Sequence, residues 1–309
     1  MSILIFRKVF LYLLVALVVA LLALIGSAFL FKDRIIAQFI QKANEQLSTP
    51  VKIKKIDVSV FEQFPNISIV FRDVYVEDSH PGVYPLLTAK HVSFHLHPLD
   101  VYRGQYIIYG LKITDSETTL KTDANGINNF TITKDTGGGG TVRFELKNVQ
   151  LANTRVRYMD QSAEEDFQFF SEQLSASIQS EQNRYTIQTR GDVTTEKLLL
   201  EKTSLLQGKS FGVKTSLVYD DNEKLITISR SEAQLKSSLF TIQGTYQWKE
   251  TPTINMNIDG KDTDIQTLLS LLPETSAKQF TPYQSRGDMY FRAKINGEIS
   301  NTRSPGITA

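Results

Sequence analysis

The stretch from Val9 to Phe31 constrains this chain more than any other. It carries no charge, no Pro and one Gly, Gly26. As a helix, about 23 residues at about 1.5 Å each reach about 35 Å, enough for a hydrocarbon core of about 30 Å. No face of the run is polar, which argues against a buried helix of a soluble domain. A secretory signal has a shorter apolar core and a small-x-small cleavage site. Ser27-Ala28 is a weak site of that kind, and Phe29, Leu30 and Phe31 carry the apolar run past it. The stretch therefore predicts an uncleaved single-pass anchor. Arg7 and Lys8 precede it, and Lys32 and Arg34 follow it. The two flanks nearly balance in Lys and Arg, so the short N-terminus decides the orientation: N-terminus inside, body exported.

Composition limits the body. A net charge of +1 with 22% charged residues gives no field to gather nucleic acid. Without Cys the chain has neither a disulfide nor a thiol nucleophile. With 18 Phe and 12 Tyr against one Trp, and short runs of Val, Ile, Thr, Tyr and Phe, the body has strand composition.

Along the chain, Ile36, Phe39, Ile40, Ala43 and Leu47 form one stripe of a helix that Ser48-Thr49-Pro50 ends. That stripe suits either a plug at the end of the body or a position on the membrane surface. From Val51 the period becomes 2, with an irregularity at Lys54-Lys55. Strands are expected around 51–60, 67–76, 92–96, 107–113, 118–121 and 142–146, with Val149 and Leu151 taking up the opposite phase and then Val156 and Tyr158. Further strands are expected at Tyr185–Arg190, Phe211–Tyr219, Leu225–Ser229, Leu239–Trp248, Thr253–Asp259 and Asp288–Ile295. Asp123-Ala-Asn-Gly126 signals a tight turn. Thr194 to Leu206 fits a helix or two short strands. Ile265, Leu268, Leu269 and Leu272 make a short helix capped by Asp262 or Thr263 and followed by Pro273. The glycine run 137–140 is read as a linker between a first β subdomain, 32–136, and a second, 141–309. The last strand lacks a following partner, so the natural chain is expected to continue past Ala309.

Motifs for chemistry are weak. His91, His95 and His97 share strand parity, and neighbours two apart sit about 7 Å apart along a strand. A metal site needs a third or fourth ligand, for which Asp100 is the one nearby option, so a solvated polar face is expected and no metal. Gly208-Lys209-Ser210 ends like a phosphate loop, but Thr203 stands where its first Gly belongs. Glu164-Glu165-Asp166 reads as a solvated loop, and Asn66-Ile-Ser68 and Asn129-Phe-Thr131 as chance sequons. No catalytic residue, cofactor or enzymatic activity is expected.

Ordered segments carry a family resemblance. They are the anchor, Leu47-Ser-Thr-Pro-Val-Lys-Ile53, Leu87-Thr-Ala-Lys-His-Val-Ser-Phe94, Pro98-Leu99, Ile107-Ile-Tyr-Gly-Leu111, Thr119-Leu120 and Asp123-Ala-Asn-Gly-Ile-Asn-Asn-Phe130. Phe144-x-Leu146-x-x-Val149-x-Leu151 and Leu268-Leu269-x-Leu271-Leu272-Pro273 extend the pattern over most of the chain. Together they resemble AsmA-like proteins, inner-membrane-anchored envelope proteins similar to bridge-like lipid transfer proteins. Asn-Asn-Phe in place of a more usual Asn-Trp is a small departure. The resemblance implies a mainly β fold: an N-terminal transmembrane helix, then an elongated, twisted, mostly antiparallel sheet with few short helices and an apolar groove. It also implies a periplasmic body and a part in phospholipid transport between inner and outer membrane and in outer-membrane homeostasis. Glycerophospholipids are the expected partners, with envelope proteins as further ones and no nucleic acid.

Alternate strand residues supply the candidate groove: Val92, Phe94, Leu96, Ile107, Tyr109, Leu111, Ile113, Phe240, Ile242, Ile254, Met256 and Ile258. Alternation alone fits both an open trough and a sealed face. The sealed alternative is an anchored structural or interaction protein that assists outer-membrane protein assembly and has no lipid groove.

Overall fold

A computed structural model describes residues 36–37, 41, 47–80, 82, 84–132, 142–181, 183–200, 203–249, 251–271, 287–299 and 305–308. The apolar run 9–31, the glycine run 137–140 and most of the helix expected before Pro50 lie outside these residues; residues 36, 37 and 41 are helical. Among the described residues no helix is long and apolar enough to cross a membrane.

The chain is mainly β and forms one long mixed sheet with few short helices. Its strands are β1 (Val51–Ser59), β2 (Ile67–Glu77), β3 (Pro85–Leu96), β4 (Tyr106–Thr122), β5 (Val142–Asp160), β6 (Glu165–Glu181) and β7 (Arg184–Leu200). They continue as β8 (Thr203–Ser204), β9 (Lys209–Asp220), β10 (Leu225–Leu235), β11 (Ser238–Gln247), β12 (Thr253–Asp264), β13 (Asp288–Glu298) and β14 (Gly306–Thr308). All fourteen belong to one sheet whose order follows the sequence, with β8 set off the path beside β7. Sequential neighbours pair because short turns join them, which makes them antiparallel. The exception is β4 with β5, a parallel pair in which β5 starts beside Tyr106, where β4 starts. The sheet is therefore continuous across the glycine run.

Several long strands change phase once. On β2 the core residues Ile69 and Phe71 are followed by Val74 and Val76, a step of three instead of two. Asp73 stands at that step with φ 50°, and Asp115 and Asn153 stand at the matching steps of β4 and β5, each with φ 52°. Asp and Asn reach the left-handed region more readily than other non-glycine residues, because their short polar side chains bond locally. Pairing skips these positions: Arg72 faces His91 and Val74 faces Ala89, while Thr114 faces Ala152 and Ser116 faces Thr154. Each step returns the apolar residues to the face they left. The irregularity expected at Lys54-Lys55 is the edge of this seam, since Lys55 pairs with Arg72 and Ile53 with Val74.

The buried core lies under β1 to β4, where Ile69, Leu96 and Ile108 are fully buried. Helix α1 (Pro98–Tyr102) follows β3 and packs Val101 on this cluster. Helix α2 (Ile265–Leu269) is capped by Asp264, whose carboxylate accepts from the Thr267 N–H at 2.9 Å. The cap is thus neither Asp262 nor Thr263, because both remain within β12. Thr194 to Leu206 resolves into the end of β7 and the short β8. Glu165 and Asp166 open a strand, β6, instead of lying in a loop.

Candidate functional site

Cross-strand partners share a face, so the register traces one surface through the whole sheet. One row runs Ile56, Phe71, Val92, Ile113, Leu151, Leu174, Gly191, Val213, Ala233, Phe240, Gly260, Phe291. It crosses every strand from β1 to β13 except the off-path β8, and none of its side chains is polar. A second row runs Ile178, Ile187, Leu217, Ile228, Gly244, Met256, Ile295, Ile307. Between these rows Ile242 pairs with Ile258. Ile254 pairs with Tyr246, next to stacked rings that link Tyr185, Tyr219, Trp248 and Tyr246 at 5.4–5.9 Å. Where Gly260 lacks a side chain, Phe291 fills the space, because a Cβ there would stand 2.0 Å from its ring. That ring tilts against Phe240 at 6.0 Å.

Ten of the expected residues fall on this face: Val92, Phe94, Leu96, Leu111, Ile113, Phe240, Ile242, Ile254, Met256 and Ile258. Ile107 and Tyr109 do not. The β3–β4 register shifts between His95 and Leu96, so Leu96 pairs with Ile108 while Phe94 pairs with Leu111. The shift inverts the phase, and Tyr106 and Ile108 take the core positions. Tyr109 instead donates its hydroxyl to the Asp100 carboxylate at 2.9 Å. Leu151, Leu174, Ile187, Leu217, Ile228, Phe291 and Ile295 also lie on this face. Alternation within β9, β10 and β13 was the signal for the last four. Leu174 was hidden because β6 breaks its period.

Burial divides the face. On β2 to β4 Ile69, Val92 and Leu96 are buried, at 0%, 5% and 0% exposure, while Phe94, Leu111 and Ile113 are half-buried. On β9 to β13 Leu217, Ile228, Ile242, Ile254, Met256, Ile258 and Ile295 are all half-buried. These apolar side chains still meet solvent, which is unfavourable by about 25 cal/mol per Å².

The opposite face is mainly polar. Its adjoining row reads Asp57, Val70, Ser93, Lys112, Gln150, Ser175, Arg190, Lys214, Glu232, Thr241, Asp259, Arg292. Arg155 binds Glu196 through two hydrogen bonds, and Asp166 receives Arg157 at 2.8 Å and Lys197 at 2.5 Å. The Arg157 bond, then Lys197, holds the Asp166 carboxyl down at about 2. His91 and His95 share a strand face as expected, but that face is not solvated at His95. His95 is buried and bonds Ser68 at 2.9 Å, and its burial lowers its pKa; His91 meets Arg72, and His97 precedes α1. Among the described residues no cluster of His, Asp or Glu could hold a metal ion. Neither known protein families nor curated proteins give a match to this chain.

Proposed function

We propose that this chain is an AsmA-like, membrane-anchored protein of the cell envelope that handles glycerophospholipids. Its body stands in the periplasm, its N-terminus in the cytoplasm, and the 9–31 run spans the inner membrane once. Acyl chains lie along an apolar groove formed by the sheet while headgroups stay in water. The protein thereby contributes to phospholipid movement between inner and outer membrane and to outer-membrane homeostasis. The observation that carries this reading is the apolar row from Ile56 to Phe291, unbroken across the sheet. Each CH₂ buried against it is favourable by about 0.8 kcal/mol, and sliding exchanges one apolar neighbour for another. The work needs no catalytic residue.

A rolled sheet is supported by one electrostatic influence between strands far apart in the order. Burial pushes the Tyr246 hydroxyl up, and the Glu165 carboxylate adds to that shift. Glu165 stands on β6 and Tyr246 on β11, with β7, β9 and β10 between them. Laid flat, four strand spacings alone would separate them by about 19 Å. Such neighbours fit a sheet that curves around its apolar side.

The test is photocrosslinking in cells from probes at Ile242 and, on the opposite face, exposed Gln243. Lipid adducts at Ile242 and none at Gln243 are expected. Crosslinks confined to protein at both positions would reject the lipid reading. The rival reading, an anchored interaction protein with a sealed core that assists outer-membrane protein assembly, draws on the full burial of Ile69, Leu96 and Ile108.

A further inference from the structure

The polar face carries a feature that the lipid reading does not use. Several basic residues elsewhere on it meet acids: Arg72 with Asp57, Arg155 with Glu196, Arg157 and Lys197 with Asp166, Arg292 with Asp259. Arg190 on β7 instead faces Ser175 on one side and Lys214 of β9 on the other. Like charges directly opposite on neighbouring strands repel. Arg230 joins them from the irregular stretch between Ile228 and Ser231, where β10 loses register with both neighbours. All three cations line one depression of about 460 Å³ with the hydroxyls of Ser177 and Ser216 and the amide of Gln188. Lys147 also lines it but is drawn to Glu145 at 3.7 Å. Glu232, the cross-strand partner of Lys214, and Asp192, two residues from Arg190, stand outside the lining. Among the described residues no close ion pair includes Arg190, Lys214 or Arg230, although the Asp259 carboxylate feels Arg230 at longer range.

We propose that this depression binds a phosphate ester, with Arg190, Lys214 and Arg230 holding its oxyanion. A guanidinium fork and an ammonium together match a multiply charged tetrahedral oxyanion better than a single carboxylate. Serine hydroxyls and the Gln188 amide supply further donors. The depression is large enough for a phosphate together with its substituent. It opens on the face away from the apolar rows, so its occupant is not a lipid lying along them. The proposal stands independently of the lipid reading.

The experiment titrates inorganic pyrophosphate into the full-length protein in phosphatidylcholine nanodiscs by calorimetry. Saturable binding is expected, weakened at least tenfold by Arg190→Ala with Lys214→Ala and unchanged by Lys249→Ala, whose partner Glu223 lies elsewhere. Circular dichroism checks that the double variant keeps its strands, and the milder Arg190→Gln repeats the measurement. Nanodiscs that also contain phosphatidylglycerol then separate the sources. Weaker apparent pyrophosphate affinity assigns the site to lipid headgroups, and unchanged affinity assigns it to soluble phosphate esters. Absence of saturable binding, or equal binding by the double variant, overturns the site and leaves the crosslinking outcome at Ile242 unaffected.

Discussion

Asn129 is fully buried, and each end of its amide is used. Its Nδ2 donates to Asp78 at 3.1 Å and to the Thr119 carbonyl at 3.0 Å, and its Oδ1 accepts from the Lys121 N–H at 2.7 Å. The turn at Asp123 is thereby tied to β4 and to the loop after β2. Asn129→Ala removes all three bonds and leaves the buried Asp78 carboxylate short of a donor. A loss of about 3 kcal/mol in urea unfolding is expected. The sequence announced this turn through its Asn-Gly step; the neighbouring asparagine gave no sign of its burial, because Asp78, which closes the site over it, lies 51 residues away. Asp166 contributes to the dependence of stability on acid. Its carboxyl titrates at about 2 when folded, below the value near 3.9 of an unfolded chain. Its contribution is therefore complete above about pH 4 and is lost as pH falls through 2. Acid titration followed by circular dichroism should show a steeper loss of stability over that window in the natural protein than in Asp166→Asn.

At the scale of elements, the left-handed steps decide whether a long strand stays amphipathic. Without the step at Asp115, Ser116, Thr118 and Leu120 would turn to the polar side and strand their apolar partners. Asp115→Val should cost about 1–2 kcal/mol more than Asp115→Gly, since a β-branched residue strains at φ 52° and glycine does not. Paired chemical denaturation curves measure the difference. These steps also explain which strands were legible. Alternation at Leu225–Ser229, Leu239–Trp248 and Thr253–Asp259 runs long enough to announce itself, and all three are strands. On β6 the apolar positions Phe167 and Phe169 precede Ser171, and a step of three then leads to Leu174, Ala176 and Ile178. Phe170 adds an apolar residue on the polar side, so no single period fits. The misplacement of Ile107 and Tyr109 has the same cause, since one register shift at His95 inverts every residue before it on β4. A phase change driven by neighbouring strands leaves no mark in local composition.

For the whole molecule, one apolar face mixes fully buried positions, such as Ile69 and Leu96, with half-buried ones that still meet solvent, such as Ile242, Met256 and Ile258. A charge should therefore act differently at the two kinds of position. Ile69 is fully buried and packs in the cluster with Leu96 and Ile108. Ile69→Asp places a bare carboxylate where no water reaches, which is expensive enough to unfold that part of the sheet. Ile242 is half-buried between Ser231 and Ile258. Its aspartate can reach solvent, so Ile242→Asp should keep the strand signal in circular dichroism and shift the melting temperature by only a few degrees. It should still abolish lipid adducts from a probe at Ile258, because an acyl chain crossing the new carboxylate would have to desolvate it. The sealed-core reading predicts otherwise, with both substitutions melting the fold and neither probe position ever meeting lipid. Circular dichroism and crosslinking on the same two variants thus separate the readings. A folded Ile242→Asp that still yields lipid adducts at Ile258 would instead mean that lipid contacts the face without moving along it.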